Sequence, residues 1–142
     1  MNTPFHLMIL KAFSAQRNTI RPRMAGLGLS PGQPKILNIL TMRGECLQKD
    51  LAEACDIEPA TVSKLLNNME ENHLITRGTV PGNKRAVEIS ITPKGSRLQK
   101  EISLACSQVE RKALENFSEE ERRSFESYLC RMYHNLTGKE MK

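Results

Sequence analysis

The sequence predicts a mainly α-helical fold with one small β-hairpin past its middle. Three observations carry this reading. Apolar residues recur at steps of three and four along most of the 142-residue chain. Two short helical segments, about Leu47 to Cys55 and about Glu58 to Asn72, are joined by a tight turn. A strictly alternating run, with Val87, Ile89 and Ile91 against Glu88 and Ser90, follows a Pro81-Gly82 turn.

The first helix is expected from Pro4 to about Ile20, on the spacing of Phe5, Met8, Ile9, Ala12, Phe13 and Ile20. Arg21-Pro22-Arg23 and the glycines Gly26 and Gly28 are expected to break it. A second helix opens at Ser30, where Ser30-Pro31-Gly32-Gln33 offers a cap, a Pro at the first helical position and a Gln three residues on. It runs to about Met42 with Ile36, Leu37, Ile39 and Leu40 inward, and Arg43-Gly44 ends it.

The fourth helix has Val62, Leu65, Leu66 and Met69 as its apolar stripe. Its opposite face carries Ala60, Lys64, Asn67 and Glu71, flanked by Thr61, Ser63 and Asn68. Strands are expected over Leu74–Thr79 and Arg85–Thr92, with Gly82 taking positive φ in a type II turn. Thr92-Pro93 starts a long helix to about Phe117, with Leu98, Ile102, Ala105, Val109 and Ala113 on one side. Ser118-Glu119-Glu120-Glu121 reads as a capping box for a last helix bearing Phe125, Leu129, Met132 and Leu136, and residues 137–142 as a frayed tail.

Composition bounds the function. The longest apolar run is Leu7–Leu10, far short of the roughly 20 residues of a membrane span and of a signal-peptide core, so a cytoplasmic protein without membrane contact is expected. With no Trp, two Tyr and four Phe, a stacking platform for single-stranded nucleic acid is not expected. Cys46, Cys55, Cys106 and Cys130 form no C-x-x-C pair and the three His are scattered, so neither a metal nor a cofactor is expected. The chain has no Gly-rich phosphate loop, no G-x-S-x-G and no H-E-x-x-H, which argues against an enzyme. The formal net charge is +5. Residues 1–29 hold Lys11, Arg17, Arg21 and Arg23 and no acid, whereas residues 30–96 balance eight bases against eight acids. Any nucleic-acid site in the middle must therefore rest on where its charges point.

A helix-turn-helix followed by a hairpin is a winged helix, whose second helix fits the DNA major groove. The expected contacts are Pro59, Ala60, Thr61 and Ser63, small enough for close backbone approach, with Asn67 and Asn68 on base edges and Lys64 on a phosphate or a guanine. Lys84 and Arg85 at the hairpin tip suit a narrow minor groove. Arg21 and Arg23 stand where they can approach the DNA backbone. Amphipathic helices at both ends exceed what one small winged helix can cover, which calls for a symmetric partner. The expected organisation is a dimerisation helix and linker over 1–29, a DNA-binding winged helix over 30–96 and dimerisation helices over 97–142.

The stretches LSPGQPKILNIL from Leu29, LQKDLAEACDIEPATVSKLLNNMEENHLITR from Leu47, and NKRAVEISITPKG from Asn83 resemble the MarR family of bacterial transcriptional regulators. The resemblance runs along essentially the whole chain and is most specific from Leu47 to Gly95. It implies a homodimer that binds a pseudo-palindromic operator on double-stranded DNA, most often a repressor released by a small-molecule effector or an oxidant. The family's recognition helix falls on Pro59 to Asn72 and its wing arginine on Arg85. The chain departs from the family pattern at Asn83, where an Asp is usual, and at His73, where a Gly is usual. Two alternatives stand beside this reading. A thiol-based redox regulator needs an exposed, low-pKa cysteine, and the family's peroxide sensors usually carry theirs in the first helix, which has none here. A winged helix that binds only protein needs an apolar outward face on the fourth helix, and that face is polar.

Overall fold

A computed structural model describes residues 2–141; Met1 and Lys142, the outermost residues of the two expected terminal segments, lie outside the described residues. Along the chain run α1 (Phe5–Gly26), α2 (Gln33–Arg43), β1 (Cys46–Leu47), α3 (Gln48–Cys55), α4 (Pro59–Glu71), β2 (Ile75–Val80), β3 (Asn83–Ile91), α5 (Pro93–Ala113) and α6 (Glu119–Thr137). The strands form one antiparallel sheet in the order β1-β3-β2. Helix-turn-helix plus hairpin is the winged-helix arrangement that the sequence predicts, and no described helix is long and apolar enough to cross a membrane.

Contacts divide the chain into two compact units, one through Ser107 and one from Gln108. The core of the first is built from Ile36, Leu37 and Leu40 of α2, Leu51 and Cys55 of α3, and Val62, Leu66 and Met69 of α4. Ile75 and Ile89 of the sheet, Met24 of α1 and Ile102 of α5 complete it. The turn between α3 and α4 depends on Asp56, at φ 55°, one of the few residue types that enters the left-handed region readily. The Ile57 N–H then returns to Ala52 O at 3.1 Å, and Pro59 opens α4 where a missing N–H costs nothing. After α4 the chain reverses through His73 at φ 60°, the residue standing where the family has Gly. Thr92 Oγ1 donates to His73 O at 2.6 Å and Lys94 Nζ to Asn72 O at 2.9 Å, which satisfies carbonyls at the end of α4. A side chain at Gly95 would collide with Leu74 O, so this approach of α5 to the sheet requires glycine.

Four boundaries differ from expectation. α1 continues through Pro22 to Gly26; the proline removes one backbone bond, but the following turn is anchored by Met24, buried in the core. α2 starts at Gln33, with Gly32 at φ 93° before it, and Ser30 does not cap it. Half of the expected box forms, since the Ser30 N–H donates to Gln33 Oε1 at 3.0 Å. α5 stops at Ala113 and Asn116, at φ 68°, turns the chain. The tail is tied down: Gly138 closes α6 in the left-handed region, Lys139 N–H donates to Thr137 Oγ1, and His134 Nδ1 lies 3.0 Å from Glu140 Oε1.

In the second unit, Ser118 and Glu121 form the predicted capping box, and Arg122 pairs with Glu110 and Glu126. The Phe117 and Phe125 rings lie 6.0 Å apart. None of the residues of α6 is buried within the chain.

Candidate nucleic-acid interface

α4 presents two faces. Val62, Leu66 and Met69 are fully buried, while Pro59, Ala60, Thr61, Lys64, Asn67 and Asn68 are exposed and Ser63 is half-buried. The outward face is polar along its length, as the spacing requires. The two asparagines are not free amides. Arg77 on β2 donates from Nη1 to Asn67 Oδ1 at 2.7 Å and from Nη2 to Ser63 O at 3.0 Å, with Glu70 Oε1 4.0 Å away. Asn68 Oδ1 accepts from Gln33 Nε2 at 2.8 Å and from Asn72 Nδ2 at 3.1 Å. Asn68 is thus a joint between α2 and α4 as well as a surface residue. Gln33 is 1% exposed. Burying an amide without partners is costly, and its two bonds to Ser30 and Asn68 remove that cost.

The sequence gives Arg77 no role here and gives Gln33 only a capping role. A signal for Arg77 was present: it lies two residues after Ile75, so it shares the inward face of β2 and must find acceptors there. For Gln33 the signal was its place among the buried positions of α2, which the expected capping role masked.

The hairpin is irregular at its tip. Pairing runs from Ile75↔Ile91 to Thr79↔Val87 and then jumps to Val80↔Asn83, which leaves residues 84–86 of β3 unpaired with β2. Such a bulge absorbs the mismatch between a Pro-Gly turn, with Gly82 at φ 80°, and the right-handed twist of the strands. Lys84 and Arg85 lie in this excess and are exposed. Asn83 Oδ1 accepts from the Arg85 N–H at 3.1 Å, so Asn83 shapes the bulge through the backbone. Arg85 lines an open groove of about 450 Å³ with Gln48 and Lys49 at the start of α3 and Pro59 at the start of α4. Two cationic side chains, Lys49 and Arg85, therefore line one groove beside the starts of α3 and α4, a setting that favours anions. Lys49 is a further residue that sequence reading left out. Arg23 donates to Ala105 O at 3.4 Å, which turns this basic residue toward α5.

Two of the four cysteines, Cys46 and Cys55, have thiols set against reactivity by burial. Cys55 is buried and its thiol is pushed up to about 11, chiefly by desolvation. Burial, then Asp50, raises half-buried Cys46. Both shifts run opposite to those of a sensing thiolate.

The sequence profile of the MarR family matches residues 27–86. Over that stretch the chain is similar to MarR-family transcriptional regulators. An uncharacterized HTH-type transcriptional regulator of Bacillus subtilis, YsmB, is 27% identical over 111 residues, which is 78% of this chain and 76% of the relative. The structure of S. aureus MepR in a complex with DNA superposes with a TM-score of 0.84 at 21% identity, over 94% of this chain and 99% of MepR. Bordetella bronchiseptica BpsR, whose DNA binding is regulated by 6-hydroxynicotinic acid, superposes with a TM-score of 0.81 at 21% identity, over 90% and 97% of the two chains.

Proposed function

We propose that this chain is a transcriptional regulator of the MarR type that binds a pseudo-palindromic operator as a homodimer, with α4 in the major groove and the β2–β3 wing at the flanking minor groove. The observation that carries this reading is the groove where Arg85 of the wing faces the N-termini of α3 and α4. A phosphate strand laid there meets Lys49 and Arg85 together. The contacts proposed on α4 are Pro59, Ala60, Thr61, Ser63, Lys64, Asn67 and Asn68, joined by Lys84 and Arg85 on the wing. Residues 1–29 and 97–142 supply the dimerisation helices around a DNA-binding segment over 30–96. Phe5 and Phe13 in the first unit are 66% and 56% exposed, and Phe125 and Leu136 in the second are 42% and 75% exposed, apolar side chains on each unit that a second copy would cover. A small-molecule effector is proposed from the likeness to BpsR, and the raised Cys46 and Cys55 thiols favour it over an oxidant.

Gel-shift titration against salt tests the reading. Lys64→Ala, Lys84→Ala and Arg85→Ala each flatten the salt dependence if each side chain neutralises a phosphate. Arg85→Ala is expected to cost on the order of 1–3 kcal/mol of binding, with a larger loss on A·T-flanked than on G·C-flanked operators. Arg85→Lys recovers part of it, because Lys lacks the planar fork. Unchanged affinity in all three alanine variants would remove both elements from the interface. Footprints should show half-sites about one helical turn, roughly 34–36 Å, apart.

A further inference from the structure

The hydrogen bonds around α4 fix which end of each asparagine faces outward. A guanidinium only donates, so the Asn67 atom held by Arg77 Nη1 at 2.7 Å is the carbonyl oxygen, and the bond is charge-assisted. The same logic runs through the buried side. The Ser30 N–H only donates, so Gln33 turns its oxygen to Ser30 and its amide nitrogen to Asn68. The Asn68 atom that receives it is therefore also a carbonyl oxygen, and Asn72 Nδ2 donates to it as well. Both carbonyls are drawn toward the protein, and both NH₂ groups remain for an outside partner. Lys64 adds three donors and no acceptor.

We propose that Arg77 and Gln33 fix Asn67 and Asn68 of α4 as donors toward the groove, which favours guanine, whose N7 and O6 both accept, and thymine, whose O4 accepts, over adenine, whose N7 accepts but whose N6 only donates. The usual asparagine–adenine pair needs the amide oxygen to accept from adenine N6 while the nitrogen donates to N7. The Arg77 bond turns that oxygen of Asn67 toward β2, so the NH₂ end is the one presented outward. Arg77 is thus a positioning residue that sets base preference without touching DNA. This inference rests on α4 lying in the major groove, and the experiment separates the two.

Bound sequences are selected from random duplex DNA with the full-length wild type, Asn67→Ala, Arg77→Met and Asn67→Asp. At the base pair whose preference Asn67→Ala flattens, the wild type is expected to favour guanine or thymine over adenine about fivefold, the worth of one hydrogen bond. Arg77→Met frees the amide to rotate, and adenine should rise at least to parity there. Asn67→Asp keeps the Arg77 bond and turns an acceptor outward, so the preference should move to cytosine, whose N4 donates. That variant decides the matter if Arg77→Met fails to fold by circular dichroism. Adenine favoured by the wild type at that position overturns the proposal. So does an unchanged preference in Arg77→Met or Asn67→Asp, or uniform weakening in Asn67→Ala with no position altered, which marks a phosphate contact. If the wild type enriches no sequence at all, the groove reading itself fails and the proposal with it.

Discussion

α4 and α6 are both amphipathic, yet they solve the problem of staying helical in opposite ways. α4 buries Val62, Leu66 and Met69 completely and begins with no side-chain cap, only a proline in its first turn. α6 buries none of its residues and begins with a complete capping box at Ser118 and Glu121. Phe125, Leu129 and Leu136 on its apolar side stay 42%, 40% and 75% exposed. A helix with its own core can do without local signals, because packing supplies most helical stability. A helix with no core of its own, like α6, must start itself, and there a cap matters most.

The largest effect that tests this contrast is Leu66→Ala. It removes a fully buried side chain at the centre of the first unit's core and should cost about 2–5 kcal/mol, read as a lower urea midpoint at unchanged slope. A loss below about 1 kcal/mol would mean that α4 is not held by this core. Leu129→Asp is the matching change on α6. It is expected to leave the fold of the single chain intact by circular dichroism while shifting the sedimenting species, at micromolar protein, from about twice 16.1 kDa to 16.1 kDa. A variant that stays dimeric would show that α6 is not part of the partner-binding face.

The same contrast explains what the sequence made legible. The α3–α4 pair, the hairpin and the last helix were readable because their signals are local: Pro59 at a helix start, Gly82 in a turn, Ser118 three residues before Glu121. α1 was misjudged at Pro22 because the burial of Met24, which holds the next turn, is a tertiary fact. The outward face of α4 was readable as a set of residues, since a period of 3.6 fixes it. How those residues are oriented was not, because Arg77 lies ten residues from Asn67, and Gln33 lies 35 from Asn68, along the chain. The convergence of Arg85 with Lys49 and Pro59 was hidden for the same reason, and because nothing in the alternating pattern announces three unpaired residues at 84–86.

A smaller effect separates the units by pH. The Cys55 thiol stands raised from 9.0 to about 11 in the folded chain, so folding holds its proton more tightly than unfolding does. Stability from this group is complete below about 9 and declines as pH rises from there toward 11. Urea midpoints should therefore fall over that range in the wild type and fall less in Cys55→Ala. Equal declines in the two proteins would show that Cys55 titrates as an ordinary exposed thiol.

The smallest expected effect is on the cap itself. Ser118 Oγ accepts from the Glu121 N–H at 3.0 Å, and Glu121 Oε1 accepts from the Ser118 N–H at 2.8 Å. Ser118→Ala should cost about 1 kcal/mol of helix stability. In the dimer proposed here, packing against the second copy would mask part of that loss. The change is therefore best placed beside Leu129→Asp, where α6 stands alone and the cap is its main local support. Helix content by circular dichroism should drop in the double variant by more than Ser118→Ala produces alone. The Glu121 half adds a pH signature. Its hydrogen bonds to Ser118 hold the carboxyl below its ordinary 4.5, so its contribution is present above that value and disappears as pH falls through the lowered one. Glu121→Gln should differ from the Glu121 protein near neutral pH and converge with it in acid. Equal helix loss on the dimeric and monomeric backgrounds would show that α6 does not depend on its cap in place of a core.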